Sequence, residues 1–224
     1  MTKEIQAIYY QIKNEIITLK KEPGTLLKEI DIARKYNISR TPVREILNRL
    51  EWDKLIDSQR TNGTYVTKID IDQISDIMYV RSQLEISILN EIMEVITPGD
   101  IVKYKMIISD QQEILNSSAI SREEMVNKFI ELETLFIKMF YTKVAKESIF
   151  LELANAQLSY ARYLFLIFTS YSNTMSETCR YSELLVDALS KHDRKKVAES
   201  CSNQKYIGLE KIRLIKIAHP NYFI

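Results

Sequence analysis

The side chains of this chain most suited to chemistry are basic and hydroxyl groups clustered in residues 37–47. Ser39 and Pro42 favour a helix start, because serine can cap the first turn and proline lacks the amide hydrogen that would have no partner there. Beyond this start one helical face is apolar. The opposite face carries side chains that can bond to phosphates or base edges: Arg40, Thr41, Arg44 and Asn48.

The neighbouring elements must position this helix. Residues 30–36 have the spacing of a short amphipathic helix, and Asn37 lies where a helix often ends in a left-handed residue. Residues 59–66 alternate polar and β-branched side chains about an Asn62-Gly63 turn, which predicts a β-hairpin. A basic helix alone is usually only a solvated surface. The helix, turn, second helix and hairpin together predict a winged helix-turn-helix, whose second helix enters the major groove of double-stranded DNA.

The charge distribution limits how DNA could be bound. The 224 residues carry a net charge of +1, and residues 1–70 carry 13 Lys and Arg against 10 Asp and Glu, a net charge of +3. This excess is too small for a polycationic surface, so affinity must come from local placement, to which Arg49 also contributes. The candidate DNA-contacting residues are Lys35, Ser39, Arg40, Thr41, Arg44, Asn48, Arg60 and Gly63.

Five ordered sequence blocks within residues 8–68 resemble the DNA-binding domain of GntR-type bacterial transcription regulators. The blocks are residues 23–27, 39–45, 50–51, 55–56 and 62–66. Two positions depart from the family pattern, because Asn37 and Lys54 each replace a usual glycine. Asparagine tolerates the left-handed conformation, whereas Lys54 is expected to cost about 1 kcal/mol at a helix end.

The remaining sequence predicts a second, all-α domain. The expected domains are residues 1–70, the winged helix-turn-helix, and residues 71–224, a bundle of about six helices, so the fold class is mainly α. The first bundle helix is predicted to bury Ile77, Val80, Leu84, Ile88 and Ile92. Later helices are predicted near residues 101–115, from a capping box at 121–124 through 129–139, and near 147–170, 176–190 and 194–217. No apolar run is long enough to span a bilayer and no signal segment opens the chain. With only two cysteines, these features predict a cytoplasmic protein without a membrane partner.

Three features of residues 71–224 carry a second resemblance: Arg81 with Leu84-Glu85 on the first helix, Glu133 followed by Phe136, and residues 185–188 leading to Asp193 and Ala198. With these features the segment resembles the FCD domain, the ligand-sensing domain of the FadR-type branch of GntR regulators. Many members of that branch hold a divalent metal through one aspartate and three histidines, and the metal helps to bind a carboxylate effector. The resemblance places these ligands at Glu133, Ile137, Ser182 and Gln204. Only Glu133 is a charged ligand, so we expect no metal and no other cofactor. The expected effector site then consists of these four residues and Arg81, which remains to attract an anion.

Three groups of residues each allow two interpretations from the sequence. Cys179 and Cys201 are either small buried side chains or a redox or metal pair. Arg81 and Glu85 form either a helix-stabilising pair or a site where the arginine faces an anionic effector. The aromatic residues of 160–171 are either core and dimer contacts or a ligand lining.

No nucleotide loop, nucleophile arrangement or paired-carboxylate motif is found in the sequence, so an enzyme is not expected. The leading hypothesis is a homodimeric, sequence-specific transcription regulator, a repressor modulated by a small molecule. The alternative is a ligand-independent DNA-binding dimer whose bundle only dimerises or binds a partner protein, with an all-α metal-dependent enzyme as a distant third. Two symmetric half-sites supply the specificity that one recognition helix lacks.

Overall fold

The computed structural model describes residues 2–59, 63–156 and 158–224, and most of them are helical. Three short strands and two 3₁₀ turns, Leu209–Lys211 and Pro220–Tyr222, complete the described elements. The helices are α1 (Lys3–Ile17), α2 (Glu29–Tyr36), α3 (Arg40–Trp52), α4 (Ile71–Ile92), α5 (Pro98–Asn116), α6 (Arg122–Lys143), α7 (Glu147–Ala156), α8 (Leu158–Ser170), α9 (Ser172–Ser190), α10 (Arg194–Lys205) and α11 (Ile212–Ala218). The strands are β1 (Leu26–Leu27), β2 (Ile56–Gln59) and β3 (Gly63–Val66).

The described residues pack as two compact units. The first unit consists of Met1–Ile74, Ala154–Leu166 and Arg213–Ile224, and the second consists of Ser75–Leu153 and Ile167–Ile212. The first unit thus recruits two segments that are distant in sequence from its N-terminal part. The predicted boundary at residue 70 and the independent folding of residues 71–224 stay predictions.

The first unit contains a winged helix-turn-helix. α2 ends at Asn37, which adopts φ 52° and ψ 44°, the left-handed conformation expected from the sequence. α3 then buries Val43, Ile46, Leu47 and Leu50 against the same core as Ile12 and Ile16 of α1. Lys54, just beyond α3, has a φ of 58°, so it occupies the strained helix-end position predicted for it.

The wing is an antiparallel sheet in the order β1-β3-β2. Tyr65 of β3 pairs with both Leu26 of β1 and Asp57 of β2, which makes β3 the central strand. Leu27, Ile56 and Val66 turn inward into the core that also holds Leu50 of α3. The sheet therefore shares its core with the recognition helix.

The second unit is helical. α5 begins at Pro98 because Thr97 and Asp100 form a capping box, with Asp100 N donating to Thr97 Oγ1 at 3.2 Å and Thr97 N donating to Asp100 Oδ2 at 2.9 Å. α6 begins after Ser121, whose hydroxyl accepts from Glu124 N at 3.2 Å. α5 packs on α6 and α9, and α9 packs on α10.

One sequence prediction for the helices was wrong in detail, because the predicted helix over 194–217 is broken where Gly208 takes a φ of 88°. The predicted helix over 147–170 stays a prediction, since the one residue between α7 and α8 lies outside the described residues. A Cβ at Gly208 would lie 2.8 Å from Ile167 Cγ2, so close packing as well as the backbone requires glycine there. The described helices beyond residue 70 are α4 to α11.

The buried face of α4 is also rotated from the predicted one. Val80 is 52% exposed, whereas Met78, Ser82 and Glu85 are buried. The prediction weighed apolar residues only, and the true buried face includes polar side chains that find partners inside the second unit.

No described helix combines the length and apolarity that a membrane crossing would require.

Candidate nucleic-acid interface and buried polar cluster

The exposed face of α3 is a row of polar side chains one helical turn apart. Arg40, Arg44 and Asn48 follow each other at intervals of four residues and are all exposed, as is Thr41 beside Arg40. The buried residues of the same helix face the core. The four side chains are thus exposed, as their spacing predicted, and their contact with DNA stays a prediction.

Ser39 occupies the N-cap position of α3 with an extended backbone, but its side chain makes no capping hydrogen bond. The expectation that Ser39 caps the helix is therefore correct for the position and wrong for the bond. Its hydroxyl is exposed at the same helix end as Arg40 and Thr41.

Two candidate cations are held by carboxylates in the DNA-free chain. Arg44 Nε lies 3.1 Å from Glu29 Oε1, and the two side chains are 65% and 36% exposed. Lys35 Nζ lies 2.7 Å from Glu15 Oε1, and this hydrogen bond raises the pKa of Lys35. Exposed pairs of this kind contribute about 0–1 kcal/mol, so a DNA phosphate can compete for either cation.

A cluster not anticipated from the sequence joins α1 to the end of α3. The hydroxyl of Tyr9 donates to Asp53 Oδ2, and Lys13 Nζ lies 3.0 Å from the same oxygen. The guanidinium of Arg49 stacks over the ring of Tyr9, 4.4 Å from its centroid. Arg49 is thereby placed in a structural contact, and its expected share in DNA binding stays a prediction.

The wing contributes one described candidate. Gly63 opens β3 with a φ of 107°, and a Cβ there would lie 2.9 Å from Leu26 Cδ1. The positive φ therefore favours glycine, whereas the Leu26 methyl group belongs to a 40% exposed side chain that can move aside. Arg60, together with Asn62 of the expected turn, lies outside the described residues.

The second unit contains a hydrogen-bonded set of buried side chains, here named the amide cluster: Gln111, Glu133, Ser182 and Gln204. Glu133 accepts from Gln111 Nε2 at Oε2 and from Gln204 Nε2 at Oε1, both at 3.0 Å. Gln204 Nε2 also donates to Ser182 Oγ at 2.7 Å, and Ser182 donates to the carbonyl of Thr178 at 3.0 Å. Three of the four positions expected from the family ligand set are thus brought together by α6, α9 and α10.

The other two candidate residues of the effector site have different surroundings. Ile137 is buried one turn after Glu133 on α6. Arg81 Nη2 lies 3.2 Å from Glu85 Oε1, a contact that agrees with the interpretation of this pair as helix-stabilising. Lys205 Nζ lies 2.8 Å from the other carboxylate oxygen, Glu85 Oε2. Lys205 and Glu85 side chains are 3% and 4% exposed, so this ion pair is buried.

Burial and charge set the ionisation of the two carboxylates. Burial raises the pKa of Glu133 above its usual range, although Lys205 and the Gln111 hydrogen bond act in the opposite direction. Burial also opposes ionisation of Glu85, but the charges of Lys205 and Arg81 outweigh it and lower the pKa. Glu85 is therefore the ionised member, and Glu133 is the carboxyl that retains a proton more readily.

The amide cluster does not fit a transition metal. Both oxygens of Glu133 already accept hydrogen bonds from amides, and neither an isoleucine nor a serine hydroxyl supplies the imidazole or thiolate that zinc-type ions prefer. Among the residues that the structure describes, no group of three or more His, Cys, Asp and Glu side chains could hold a metal ion. The residues thus do not form the site that the family resemblance implied.

Cys179 and Cys201 are free thiols, and both are buried. Burial raises the pKa of each to about 12, which makes the thiolate scarce and favours the interpretation as small buried side chains. Tyr160, Tyr163 and Phe165 are buried in the first unit and Phe168 in the second, in agreement with a role in the core.

Two residues of the buried network were missed from the sequence. Gln111 follows Tyr104 and Ile108 at the spacing of one buried helical face, and a polar residue on an apolar face is the signal that could have identified it. Lys205 gave no such signal, because only the fold shows that a lysine at the end of α10 meets Glu85.

Comparison with known proteins agrees with this geometry. Residues 4–66 match the family described as bacterial regulatory proteins, gntR family. The chain is 28% identical over 140 residues to the HTH-type transcriptional repressor RspR of Escherichia coli, an alignment that covers 62% of this chain and 58% of RspR. It is 29% identical over 130 residues to the gluconate operon transcriptional repressor of Bacillus subtilis, covering 58% of this chain and 50% of that protein. The chain thus aligns with only about half the length of these relatives.

Solved structures extend the likeness in fold to nearly the whole chain. Escherichia coli McbR/YncC superposes with a TM-score of 0.65 at 18% identity, over 98% of this chain and 100% of that one. A GntR-type protein from Rhodococcus sp. RHA1 superposes with a TM-score of 0.66 at 14% identity, over 97% and 99%. At these identities the likeness concerns the fold alone. Residues 4–66, which form the winged helix-turn-helix, thus match the GntR family of bacterial regulatory proteins.

Proposed function

We propose that this chain is a sequence-specific, DNA-binding transcription regulator that acts as a homodimeric repressor in the bacterial cytoplasm. The observation that carries the proposal is the exposed row of Arg40, Thr41, Arg44 and Asn48 on a helix whose other face is locked into the core. The family match over the same residues supports regulation of transcription and not catalysis. The repressor assignment is supported by the relatives whose names describe them as repressors.

The proposed contacts divide into two kinds. Arg40 and Arg44 suit bidentate contact with a guanine edge or a flanking phosphate, and Thr41 and Asn48 suit base or backbone contact. Lys35, Ser39, Arg60 and Gly63 are proposed to position the domain on the phosphate backbone. Since one recognition helix covers a few base pairs, two chains on a near-palindromic site would supply the necessary specificity.

The helical unit is proposed to bind a small molecule at the amide cluster and Arg81. Within the described residues, two buried polar atoms near this region have no hydrogen-bond partner, Gln111 Oε1 and Tyr141 Oη. Unpaired buried polar atoms are costly, so a ligand or a water molecule that bonds to them would be stabilised. Because Glu85 already pairs with Arg81 and Lys205, the ligand is expected to carry less charge than a metal-bound carboxylate.

The second candidate function is a ligand-independent regulator whose helical part only dimerises or binds a partner protein. It is favoured by the internal hydrogen bonds of the amide cluster, which satisfy both oxygens of Glu133 without a ligand. Titration of the DNA complex with small molecules that co-purify with the protein separates the two candidates. Release of DNA supports the sensor, and no response from any bound molecule supports the ligand-independent regulator.

The test of DNA binding starts with selection of duplexes from a random pool by the full chain. We expect enrichment of a near-palindromic sequence and its loss with Arg44→Ala. Arg194→Ala is a matched control, because Arg194 is an exposed arginine paired with an exposed carboxylate, at 2.6 Å from Glu94 Oε1. Enrichment of no sequence, or equal loss with the control, would contradict the proposal.

Elemental analysis tests the metal expectation separately. The protein purified without chelator should hold no stoichiometric transition metal. About one zinc, nickel or manganese ion per chain, lost with Glu133→Gln, would overturn the account of the site.

A further inference from the structure

Arg162 on α8 is a fully buried arginine inside the first compact unit. Its described partners are all neutral. Arg162 Nη1 donates to the carbonyl of Thr67 at 2.6 Å, and Nη2 donates to Thr67 Oγ1 at 3.2 Å and to the carbonyl of Lys68 at 3.4 Å. Burial without a carboxylate partner lowers the pKa of Arg162 to about 10. Burying a guanidinium without a carboxylate partner costs free energy, so its hydrogen bonds to Thr67 and Lys68 are what hold it in place.

The residue that Arg162 binds is itself tied to the DNA-binding elements. Thr67 Oγ1 donates to the carbonyls of Lys54 and Leu55 at 3.0 and 3.2 Å, and Thr67 N donates to the carbonyl of Leu55 at 3.0 Å. Lys54 and Leu55 form the turn that joins the recognition helix α3 to the first wing strand β2. One threonine thus bonds the end of the wing to the turn between recognition helix and wing, and Arg162 holds that threonine.

Two further contacts support the same junction. Leu158, one turn before Arg162 on α8, belongs to the hydrophobic cluster that contains Leu50 and Leu55. The C-terminal segment pairs with Ile69, which lies two residues after Thr67. Ile69 N donates to the carbonyl of Tyr222 at 2.8 Å, and Ile224 N donates to the carbonyl of Ile69 at 3.2 Å. Residues 67–69 are therefore held from two segments that lie far away in sequence.

We propose that Arg162 is a positioning residue for DNA binding, which fixes the angle between the recognition helix and the wing through Thr67. The inference rests on the proposed DNA-binding function. It makes that function depend on Arg162, a residue outside the family-matched segment 4–66. The helix that carries Arg162 continues to Ser170, and its residues after Leu166 belong to the second compact unit. α8 thus contributes residues to both units.

The test compares full-length variants on a duplex that the wild-type protein has selected from a random pool, and on a duplex of unrelated sequence. Arg162→Gln removes the charge and most of the donors and should lower affinity for the selected duplex at least tenfold, with affinity for the unrelated duplex nearly unchanged. Arg162→Lys keeps the charge and one donor group and should restore part of the difference. Arg122→Gln is the matched control, because Arg122 also donates to a backbone carbonyl, that of Phe168, but within the second unit.

The fluorescence anisotropy of Trp52 provides a measurement that a loss of overall stability alone would not change. Trp52 is the single tryptophan of the chain, it ends α3, and it is 88% exposed. With the far-UV spectrum unchanged, Arg162→Gln should lower the fluorescence anisotropy of Trp52, whereas Arg122→Gln should not. If Arg162→Gln does not fold, Thr67→Val removes the hydroxyl from the same junction and should lower selective DNA affinity in the same direction.

Unchanged selective affinity and unchanged Trp52 anisotropy in a folded Arg162→Gln or Thr67→Val variant would overturn the inference. Equal effects of Arg122→Gln would also overturn it, because they would indicate general destabilisation. If the wild-type chain binds no duplex, the proposed function fails, and the Trp52 anisotropy still decides whether Arg162 fixes the junction.

Discussion

The exposed face of α3 and the interior of the second unit both hold ion pairs, but the pairs differ in how far their side chains are exposed to water. The Arg44–Glu29 side chains are 65% and 36% exposed, whereas the Lys205–Glu85 side chains are 3% and 4% exposed. An exposed pair is worth about 0–1 kcal/mol and its partners can be exchanged for a ligand. A buried pair cannot lose one partner without leaving an uncompensated charge. The first arrangement suits binding, and the second fixes one internal arrangement of helices.

The strongest test of this contrast removes one partner from the buried pair. Lys205→Met keeps most of the side-chain volume but leaves Glu85 with Arg81 as its remaining cationic partner. We expect the free energy of unfolding, measured by urea denaturation, to fall by up to about 3–5 kcal/mol, because Arg81 compensates Glu85 only in part. Lys191→Met, which breaks the exposed Lys191–Asp187 pair, is the matched control and should change stability by about 0.5 kcal/mol or less. Similar losses in both variants would erase the distinction between the two regions.

The converse test removes the exposed arginines of α3. Arg40→Ala and Arg44→Ala should each weaken binding to the selected duplex by about 1–3 kcal/mol, measured at fixed salt concentration. Neither should lower the free energy of unfolding by more than about 0.5 kcal/mol, since both side chains are exposed. Unchanged DNA affinity in both variants would refute the assignment of this face.

The wing provides a test in which backbone strain and binding act together. Gly63→Val forces a β-branched residue to a φ of 107° and brings its Cβ to 2.9 Å from Leu26 Cδ1. We expect a loss of about 1–3 kcal/mol in the stability of the first unit, together with weaker DNA binding. Gly99→Val is the control, because Gly99 has an ordinary φ and a Cβ there would make only an ordinary van der Waals contact, 3.7 Å from Thr97 Oγ1. Full DNA affinity in Gly63→Val would show that the wing does not take part.

The smallest expected effect is on pH dependence. Because the pKa of Glu133 is raised from 4.5 on folding, its contribution to stability is full below about pH 4.5 and is lost as the pH rises through the folded-state pKa. Glu133→Gln should therefore flatten the decline of the urea midpoint above about pH 4.5. Glu124→Gln, at an exposed carboxylate, should leave that decline unchanged. Parallel curves for wild type and Glu133→Gln would show that this carboxyl does not titrate as its burial implies.

Local rules made much of the first unit predictable. Asn37 tolerates the left-handed conformation, the apolar stripe of α3 recurs at helical spacing, and the strand pattern before and after the wing turn is short-range. The same rules failed at Val80 and at Gly208. A stripe of apolar residues does not show which face carries buried polar groups, and a helix break there depends on packing against Ile167.

The sequence by itself determined the winged helix-turn-helix, the helical character of the remainder and the polar face of α3, because these depend on residues within a few positions of each other. It also indicated that Glu133, Ser182 and Gln204 are not a metal-ligand set, since donor chemistry is a property of residue type. Only the tertiary structure decided that Gln111 completes the amide cluster, that Lys205 neutralises Glu85 and that Arg162 binds Thr67. These contacts join residues 22 to 120 positions apart in sequence, and no local pattern records which distant side chains a buried charge will meet.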